Sequence, residues 1–396
     1  MSKFKVQTII FVLVAFMLGC NEFMVVGVIS ELSRDFHVSI SLIGYLVTIF
    51  ATVYAVSTPF ITILTSKYNR YKTLMTLMII FLIGNTLSGF APNYIFMLVS
   101  RVLTAFTAGS IISLVTAFAS QIAPRDKRAF MISWITAGFS IASVAGVPIG
   151  VAISTSYGWR YAFFGVSVIT VVVTTLLSRI LPKQIEQTTS TIRKQLTLLL
   201  DSRIYVGIFS VLFTAAAMYS YYTYIRPLIT TALGFSDSWL NWLLVVIGAF
   251  SIVGNRLSGK LAESPRDLEI LPWFYVADIV LLSIMPFFLH NQVLGFGIIL
   301  ILTLIVTING APLQLHFINI SEKDFPQSLV LASSLSSIFF NFGISLGSAT
   351  SSSMLALAGL TKISWAGAVF AALSMILIVV LNRIIAKKEQ LTTTAK

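Results

Sequence analysis

The sequence predicts an all-α membrane protein of twelve transmembrane helices in two six-helix bundles, and three observations carry that prediction. With 57% hydrophobic residues, 10% charged residues and a mean hydropathy of +0.93, the 396-residue chain is too apolar to cover a water-soluble surface. Its apolar runs are continuous over about 20 residues, the length a helix needs to cross about 30 Å of hydrocarbon, and they lack the short alternating pattern of a membrane barrel. The runs number twelve, and the longest polar segment, 182–203, divides them six and six.

The first span, at about 6–30, is longer than the apolar core of a signal peptide, and no small-residue cleavage pattern follows it. Cys20, the single cysteine, lies within it and excludes an intrachain disulfide. Spans at about 41–64, 73–91, 95–122, 129–153 and 161–181 complete an N-terminal bundle, residues 1–181. Residues 182–203 read as a cytoplasmic linker. The C-terminal bundle, residues 204–396, carries spans at about 204–229, 239–259, 268–289, 293–317, 328–356 and 363–385. No soluble domain is evident at either end.

Orientation follows from lysine and arginine. With a cytoplasmic N-terminus, the inner segments collect Lys67, Arg70, Lys72, Arg125, Lys127 and Arg128 among many others, and the outer loops only Arg34, Arg160 and Lys362. The positive-inside rule therefore places both termini in the cytoplasm. The net charge of +12 is then a matter of membrane orientation, and no soluble domain gathers it into a nucleic-acid patch.

One stretch invites another reading. Residues 254–263, GNRLSGKLAE, spell G-x-x-x-x-G-K, which is close to a phosphate-binding loop. In such a loop the lysine is followed by a hydroxyl residue that holds magnesium, and a buried strand comes before the glycines. Here Leu261 follows Lys260, and the preceding apolar run is too long for a strand. The stretch reads as a tight cytoplasmic turn without a nucleotide role.

The halves echo each other. GFSIASVAGVPIG (138–150) in the fifth span and NFGISLGSATSSS (341–353) in the eleventh are both runs of small residues. Such runs let helix backbones approach closely in lipid, so equivalent helices are expected to pack tightly in two related bundles. The basic connections SKYNRYK and SGKLAESPRD occupy equivalent places too.

On these residues the chain resembles a known family. NEFMVVGVISELSRDFHVS, SRVLTAFTAG, APRDKRAFMIS, GVPIG followed by GWRYAFF, and YTYIRPLITTALGFS together resemble the twelve-helix drug:proton antiporters of the major facilitator superfamily. Within that family they are most similar to the branch of bacterial sugar-efflux (arabinose-efflux) and purine-efflux transporters. The resemblance implies the major facilitator fold, with the first, fourth, seventh and tenth helices lining a central cavity and two bundles rocking about a central site. It also implies gating roles for the short cytoplasmic connections, here Arg70 and Lys72, then Gly259 and Glu263, and for the fifth-helix motif at Gly146, Pro148 and Gly150. The first connection departs from the family pattern, having lost its glycines and its acid. The second keeps Gly259 and Leu261, with Glu263 in place of the aspartate. The three fifth-helix residues also read as allowing close packing and a bend.

Charges within spans are costly and point to function. Glu22 and Arg101 both lie roughly 9–12 Å below the outer surface at about 1.5 Å per residue, so they can pair. Burial favours the neutral form of a carboxyl and a nearby guanidinium favours the charged form, so a group carried between such settings takes up and releases a proton. The competing reading is a permanent ion pair that fixes the helices. Asp278, mid-span in the ninth helix, reads first as an acid hydrogen-bonded within its own bundle and second as an alternative proton-coupling group.

For substrate, Tyr219, Tyr222 and Arg226 fall at i, i+3 and i+7 of the seventh span, with Tyr221 and Tyr224 on another face. They form either a stacking face for a sugar or purine, or an interfacial aromatic belt with a snorkelling arginine. Asn309, Gln314 and His316 are polar candidates in the tenth. His37, His290 and His316 are too scattered for a metal site, and no arrangement supports an enzyme. The expectation is a proton-coupled efflux transporter of the bacterial cytoplasmic membrane. It would be powered by the proton gradient with no cofactor and no ATP, its partners being a small-molecule substrate, protons and the lipid bilayer, with no nucleic acid, and it would act as a monomer. Sugars or glycosides, purines and drugs are the substrates implied by the resemblance. A proton-coupled importer and a non-transporting receptor or scaffold are the alternatives.

Overall fold

Fourteen helices account for nearly all of what the computed structural model describes, residues 3–65, 68–124, 127–184, 197–264, 266–325 and 328–394. Most of the expected linker, 185–196, lies outside the described residues, as do Lys67 and Arg125. The helices are α1 (Lys3–Gly27), α2 (Ile29–Phe36), α3 (Ile40–Thr65), α4 (Arg70–Gly89), α5 (Tyr94–Ile122), α6 (Arg128–Tyr157), α7 (Trp159–Ile180), α8 (Ser202–Tyr222), α9 (Asp237–Ala262), α10 (Asp267–Phe288), α11 (Gln292–Ile308), α12 (Gly310–Asp324), α13 (Leu329–Ala358) and α14 (Ile363–Thr394). Among the described residues there is no strand. Eleven stretches are long and apolar enough to cross a membrane, with α11 and α12 forming one of them. The small-residue helix α13, 30 residues long, is not among those eleven.

Backbone groups that cannot reach water inside lipid must be satisfied within the chain, which is why every span is helical. Some helix starts are closed by side chains. Asn69 accepts from the Lys72 amide at 3.1 Å, Asn93 from Phe96 at 2.9 Å, and Asp201 from Arg203 at 2.9 Å. Apolar side chains such as Val168, Val171 and Val172 of α7, and Trp273, Val280 and Phe287 of α10, stay exposed. In water such a surface would be a liability, whereas against lipid it carries no penalty.

Close contacts divide the chain into two compact units, Met1–Thr189 with Ser238–Gly248, and Ser190–Asp237 with Ala249–Lys396. The two six-helix bundles are built alike. In the first, α1 packs chiefly on α6, and α5 on α3 and α4. In the second, α8 packs on α13 and α14, and α10 on α14. The α1–α6 pair recurs six spans later as α8–α13, and both pairs are held close by glycines. A Cβ on Gly138 would lie 2.6 Å from the Val12 carbonyl oxygen, and one on Gly343 would lie 2.6 Å from the Ala215 Cβ. The turns repeat too. α6 ends at Gly158 (φ 97°) and α13 at Gly359 (φ 85°), a backbone region that L side chains rarely adopt.

The structure corrects three expectations. The seventh span is not one helix, because α8 stops at Tyr222. There the Tyr224 amide turns back to the Tyr221 carbonyl, and Pro227, having no N–H, cannot restore the ladder, which resumes around 225 and widens to a π-helical turn at Leu228–Ala232. The tenth span is also broken, at Asn309, and runs on to Asp324. Finally, residues 254–262 are the closing turns of α9, and the tight connection is confined to the residues after it.

Candidate functional site

In the N-terminal bundle, Glu22 (α1) is 8% exposed and Arg101 (α5) is fully buried. Arg101 Nη1 donates to the Asn21 carbonyl at 2.8 Å and to Asn21 Oδ1 at 3.0 Å, and its guanidinium carbon sits 4.1 Å from the centre of the Phe50 ring of α3. Asn21 Nδ2 donates to Asn85 Oδ1 of α4 at 2.6 Å. Asn85 Nδ2 in turn donates to the Phe163 carbonyl at 2.8 Å and to Ser167 Oγ at 2.7 Å, both on α7. This amide chain ties α1, α4 and α7 to Arg101 of α5.

Glu22 Oε1 and the Nε and Nη2 atoms of Arg101 have no hydrogen-bond partner. The opposite charges lie near enough to act on each other through space, yet no bonded pair joins them. Arg101 is therefore held by Asn21, the residue next to Glu22, and not by the acid itself. Asn21, Asn85 and Phe50 were not singled out in the sequence. The available signal was the isolation of two amides within otherwise apolar spans.

In the C-terminal bundle, Tyr219 and Tyr222 are buried with ring centres 5.7 Å apart, and Phe340 lies 6.2 Å from Tyr219. Arg226 comes after the break in α8 and so is not on their helical face in the sense the i, i+7 spacing implied. It is 5% exposed, with its Nη2 3.9 Å from Asp237 Oδ1. Tyr221 and Tyr224 are buried as well, with the Tyr224 hydroxyl 2.7 Å from Ser352 Oγ. None of these tyrosines has the exposure of an interfacial belt.

Asn309, 1% exposed, occupies the break between α11 and α12, and neither its Nδ2 nor its Oδ1 has a partner. The backbone freed by the break is taken up by Ser258 of α9. Its hydroxyl donates to the Ile308 carbonyl at 2.7 Å and accepts from the Ala311 amide at 2.9 Å. Ser258 comes from the stretch that mimics a phosphate loop, and its structural role is to splint this break. Gln314 is half-buried one turn into α12, and His316 follows with Nε2 unpartnered. Asp278 of α10 is 1% exposed with Oδ1 unpartnered, so that oxygen lacks the expected hydrogen bond within its bundle.

Among the gating candidates, a Cβ on Gly146 would make ordinary contact with the Cys20 Cα at 3.4 Å, and one on Gly150 would meet Met24 Cγ at 2.8 Å. Pro148 is buried between them inside α6. Arg70 opens α4, with Lys72 exposed just after it. Gly259 is exposed with nothing within 4 Å of an added Cβ, and Glu263 caps α9 in the open.

Two of the sequence markers meet where α2 ends and α7 begins. Asp35 of α2 accepts from Trp159 Nε1 at 3.0 Å and from Arg160 Nη1 at 2.7 Å, joining SRDFHVS to GWRYAFF. Partial burial pushes its carboxyl up, but these two hydrogen bonds and the nearby charges outweigh that and hold it below the usual range. In the C-terminal unit Asp201, Arg203, Asp324 and Lys388 form a charge cluster joining the start of α8, the end of α12 and α14. No group of three or more metal-ligating side chains occurs among the described residues.

Comparison with known proteins agrees with this architecture. The family model described as Major Facilitator Superfamily matches residues 11–329. The uncharacterized MFS-type transporter YtbD of Bacillus subtilis is 29% identical over 89% of each chain, and the inner membrane transport protein YdhP of Escherichia coli is 28% identical over 92% of each. Among solved structures, a bacterial homolog of the human lysosomal transporter Spinster, inward-facing and unoccupied, aligns over 98% of each chain at a TM-score of 0.75 and 16% identity. A D-xylose-proton symporter aligns over 95% of this chain and 97% of its own, at a TM-score of 0.75 and 14% identity.

Proposed function

The chain belongs to the major facilitator superfamily and is a multi-pass membrane transporter, and we propose that it is a proton-coupled antiporter exporting a small neutral or weakly polar molecule by alternating access. Glu22 is the proton carrier in this reading, and Arg101 sets when the proton is held. The observation that carries the reading is the open valence of the pair. Oε1 of Glu22 and two nitrogens of Arg101 are buried without partners, while the remaining nitrogen is tied to Asn21. A permanent structural ion pair would satisfy these atoms against each other, since buried charge left unpaired is strongly disfavoured. Atoms left open are suited to a partner that changes through a cycle, first the guanidinium and then a proton.

Substrate recognition falls to the C-terminal bundle in this reading. The buried Tyr219–Tyr222 pair offers aromatic faces, and Asn309 offers a free donor and a free acceptor on one amide. Together they suit a ring that carries adjacent donors and acceptors, as sugars, glycosides and purines do. Drug-like substrates would use the faces without the amide. The basic inner segments support cytoplasmic termini.

The test uses proteoliposomes loaded with a pH-sensitive dye under an imposed proton gradient, with arabinose, isopropyl-thiogalactoside, adenine, guanosine and ethidium added in turn. Substrate-dependent proton movement in wild type and its loss in Glu22→Gln is the expected result. Flux that survives in Glu22→Gln removes Glu22 from coupling, and a wild type silent to every compound removes this substrate range.

A further inference from the structure

A second buried acid stands apart from the Glu22 site, within the C-terminal bundle. Asp278 lies near the middle of α10, 1% exposed, and its Oδ1 meets no donor. Tyr221 of α8 is fully buried, close enough to feel the Asp278 charge, and its hydroxyl makes no well-formed hydrogen bond, its polar neighbour being Thr303. That hydroxyl faces Thr303 of α11, whose own hydroxyl donates to the Ile299 carbonyl at 2.8 Å. One turn earlier on α10, the Tyr275 hydroxyl meets Thr214 Oγ1 of α8 at 2.6 Å, and Thr214 meets Ser374 Oγ of α14 at 2.8 Å. The surroundings are hydroxyl groups, and among the described residues no lysine, arginine or histidine pairs with Asp278.

An ionised carboxylate with a bare oxygen in such a place is strongly disfavoured, and no cation compensates it. A bound proton removes the charge, and the Tyr221 hydroxyl, only loosely engaged with Thr303, is the donor that can then complete Oδ1. We propose that Asp278 and Tyr221 form a proton-binding site inside the C-terminal bundle, in addition to the one at Glu22. The position of Tyr221 gives the site a consequence. It is the penultimate residue of α8, immediately before the ladder fails at 223–224. Rotation of that last turn brings its hydroxyl onto Oδ1 or removes it, so proton occupancy at Asp278 is tied to the bend of α8 and thereby to the placing of Tyr222 and Arg226.

The site is tested without substrate, so its outcome is independent of whether the export reading holds. Infrared spectra of purified protein in H2O and D2O report the C=O stretch of a protonated carboxylic acid. The expected result is such a band in wild type that disappears in Asp278→Asn, moves in Asp278→Glu, shifts in Tyr221→Phe and persists in Glu22→Gln. Should Asp278→Asn fail to fold, Asp278→Glu and Tyr221→Phe carry the test. A protonated-carboxyl spectrum unchanged by every substitution at Asp278 and Tyr221, or one abolished by Glu22→Gln alone, overturns the proposal.

Discussion

Replacing Gly138 by alanine introduces a Cβ 2.6 Å from the backbone oxygen of Val12, 3.1 Å from Val12 Cγ1 and 3.3 Å from the Ala15 Cβ. The nearest of these atoms belongs to the backbone of α1 and cannot swing aside. Two turns along the same helix, facing the same partner, Gly146 offers an internal control, since its Cβ would find the Cys20 Cα at 3.4 Å, an ordinary contact. Alanine relieves each site of the helix-weakening effect of glycine by about 1 kcal/mol. That gain is common to both and cancels in the comparison. What remains for Gly138→Ala is an overpacking cost of about 1–3 kcal/mol, incurred by moving α1 and α6 apart by about 0.4–0.8 Å. Gly138→Ala should therefore melt below Gly146→Ala by an amount equivalent to about 1–3 kcal/mol, with Gly146→Ala at or slightly above wild type. Thermal unfolding of the purified proteins in one detergent measures this. Equal melting temperatures for the two variants would refute the claim that α1 and α6 are in backbone contact at Gly138.

Three further outcomes follow from the polar contacts. Burial pushes the Asp201 carboxyl up, but hydrogen bonds from Arg203 and the nearby Arg203 and Lys388 charges outweigh it and hold the group at about 2. A lowered value means the stabilisation is complete above the ordinary carboxylate value of about 3.9 and is lost as pH falls through about 2. The melting-temperature gap between wild type and Asp201→Asn should accordingly close across that interval, and a constant gap would contradict it. Ser258→Ala leaves the Ile308 carbonyl and the Ala311 amide unpaired, at a cost of about 1–3 kcal/mol, and should weaken substrate binding, whereas Ser258→Thr, which keeps the hydroxyl, should restore both. Asn85→Leu and Arg101→Lys should be non-additive in stability by more than about 0.5 kcal/mol, because the amide chain joins them through Asn21; strict additivity in a double-mutant cycle would exclude that chain.

The spans were legible because lipid leaves the backbone one solution, and a run of about 20 apolar residues announces it. The matching small-residue runs of α6 and α13 were legible for a related reason, since close helix approach in lipid requires the absence of side chains. The breaks were not. The helix breaks at Asn309 where Pro312, having no N–H, leaves the Ile308 carbonyl without its ladder donor, and Ser258, 50 residues away from Ile308 in sequence, takes up the freed backbone. Gly310 and Pro312 mark it locally, but such residues are often tolerated in membrane helices, and in the sequence Ser258 looks like part of a phosphate loop. The break after Tyr222 had a local sign in Pro227, but a proline inside a membrane helix is often tolerated, as Pro59 of α3 and Pro148 of α6 are.

The depth match of Glu22 and Arg101 was readable from helix rise alone, whereas the identity of the group that holds Arg101 was not. Rise per residue fixes height along the membrane normal and leaves open which side chain turns inward at that height, so Asn21 and Glu22 are indistinguishable until α1 is packed against α5. The packed structure separates their roles. Asn21 and Asn85 use their amides to bind α1, α4, α5 and α7 together, while Glu22, Asn309, Tyr221 and Asp278 keep polar atoms in reserve. A buried group without a partner is costly, most of all a charged one such as Glu22 or Asp278. In the proposed antiport reading, where partners arrive and depart with each cycle, those open atoms are the ones assigned to proton and substrate.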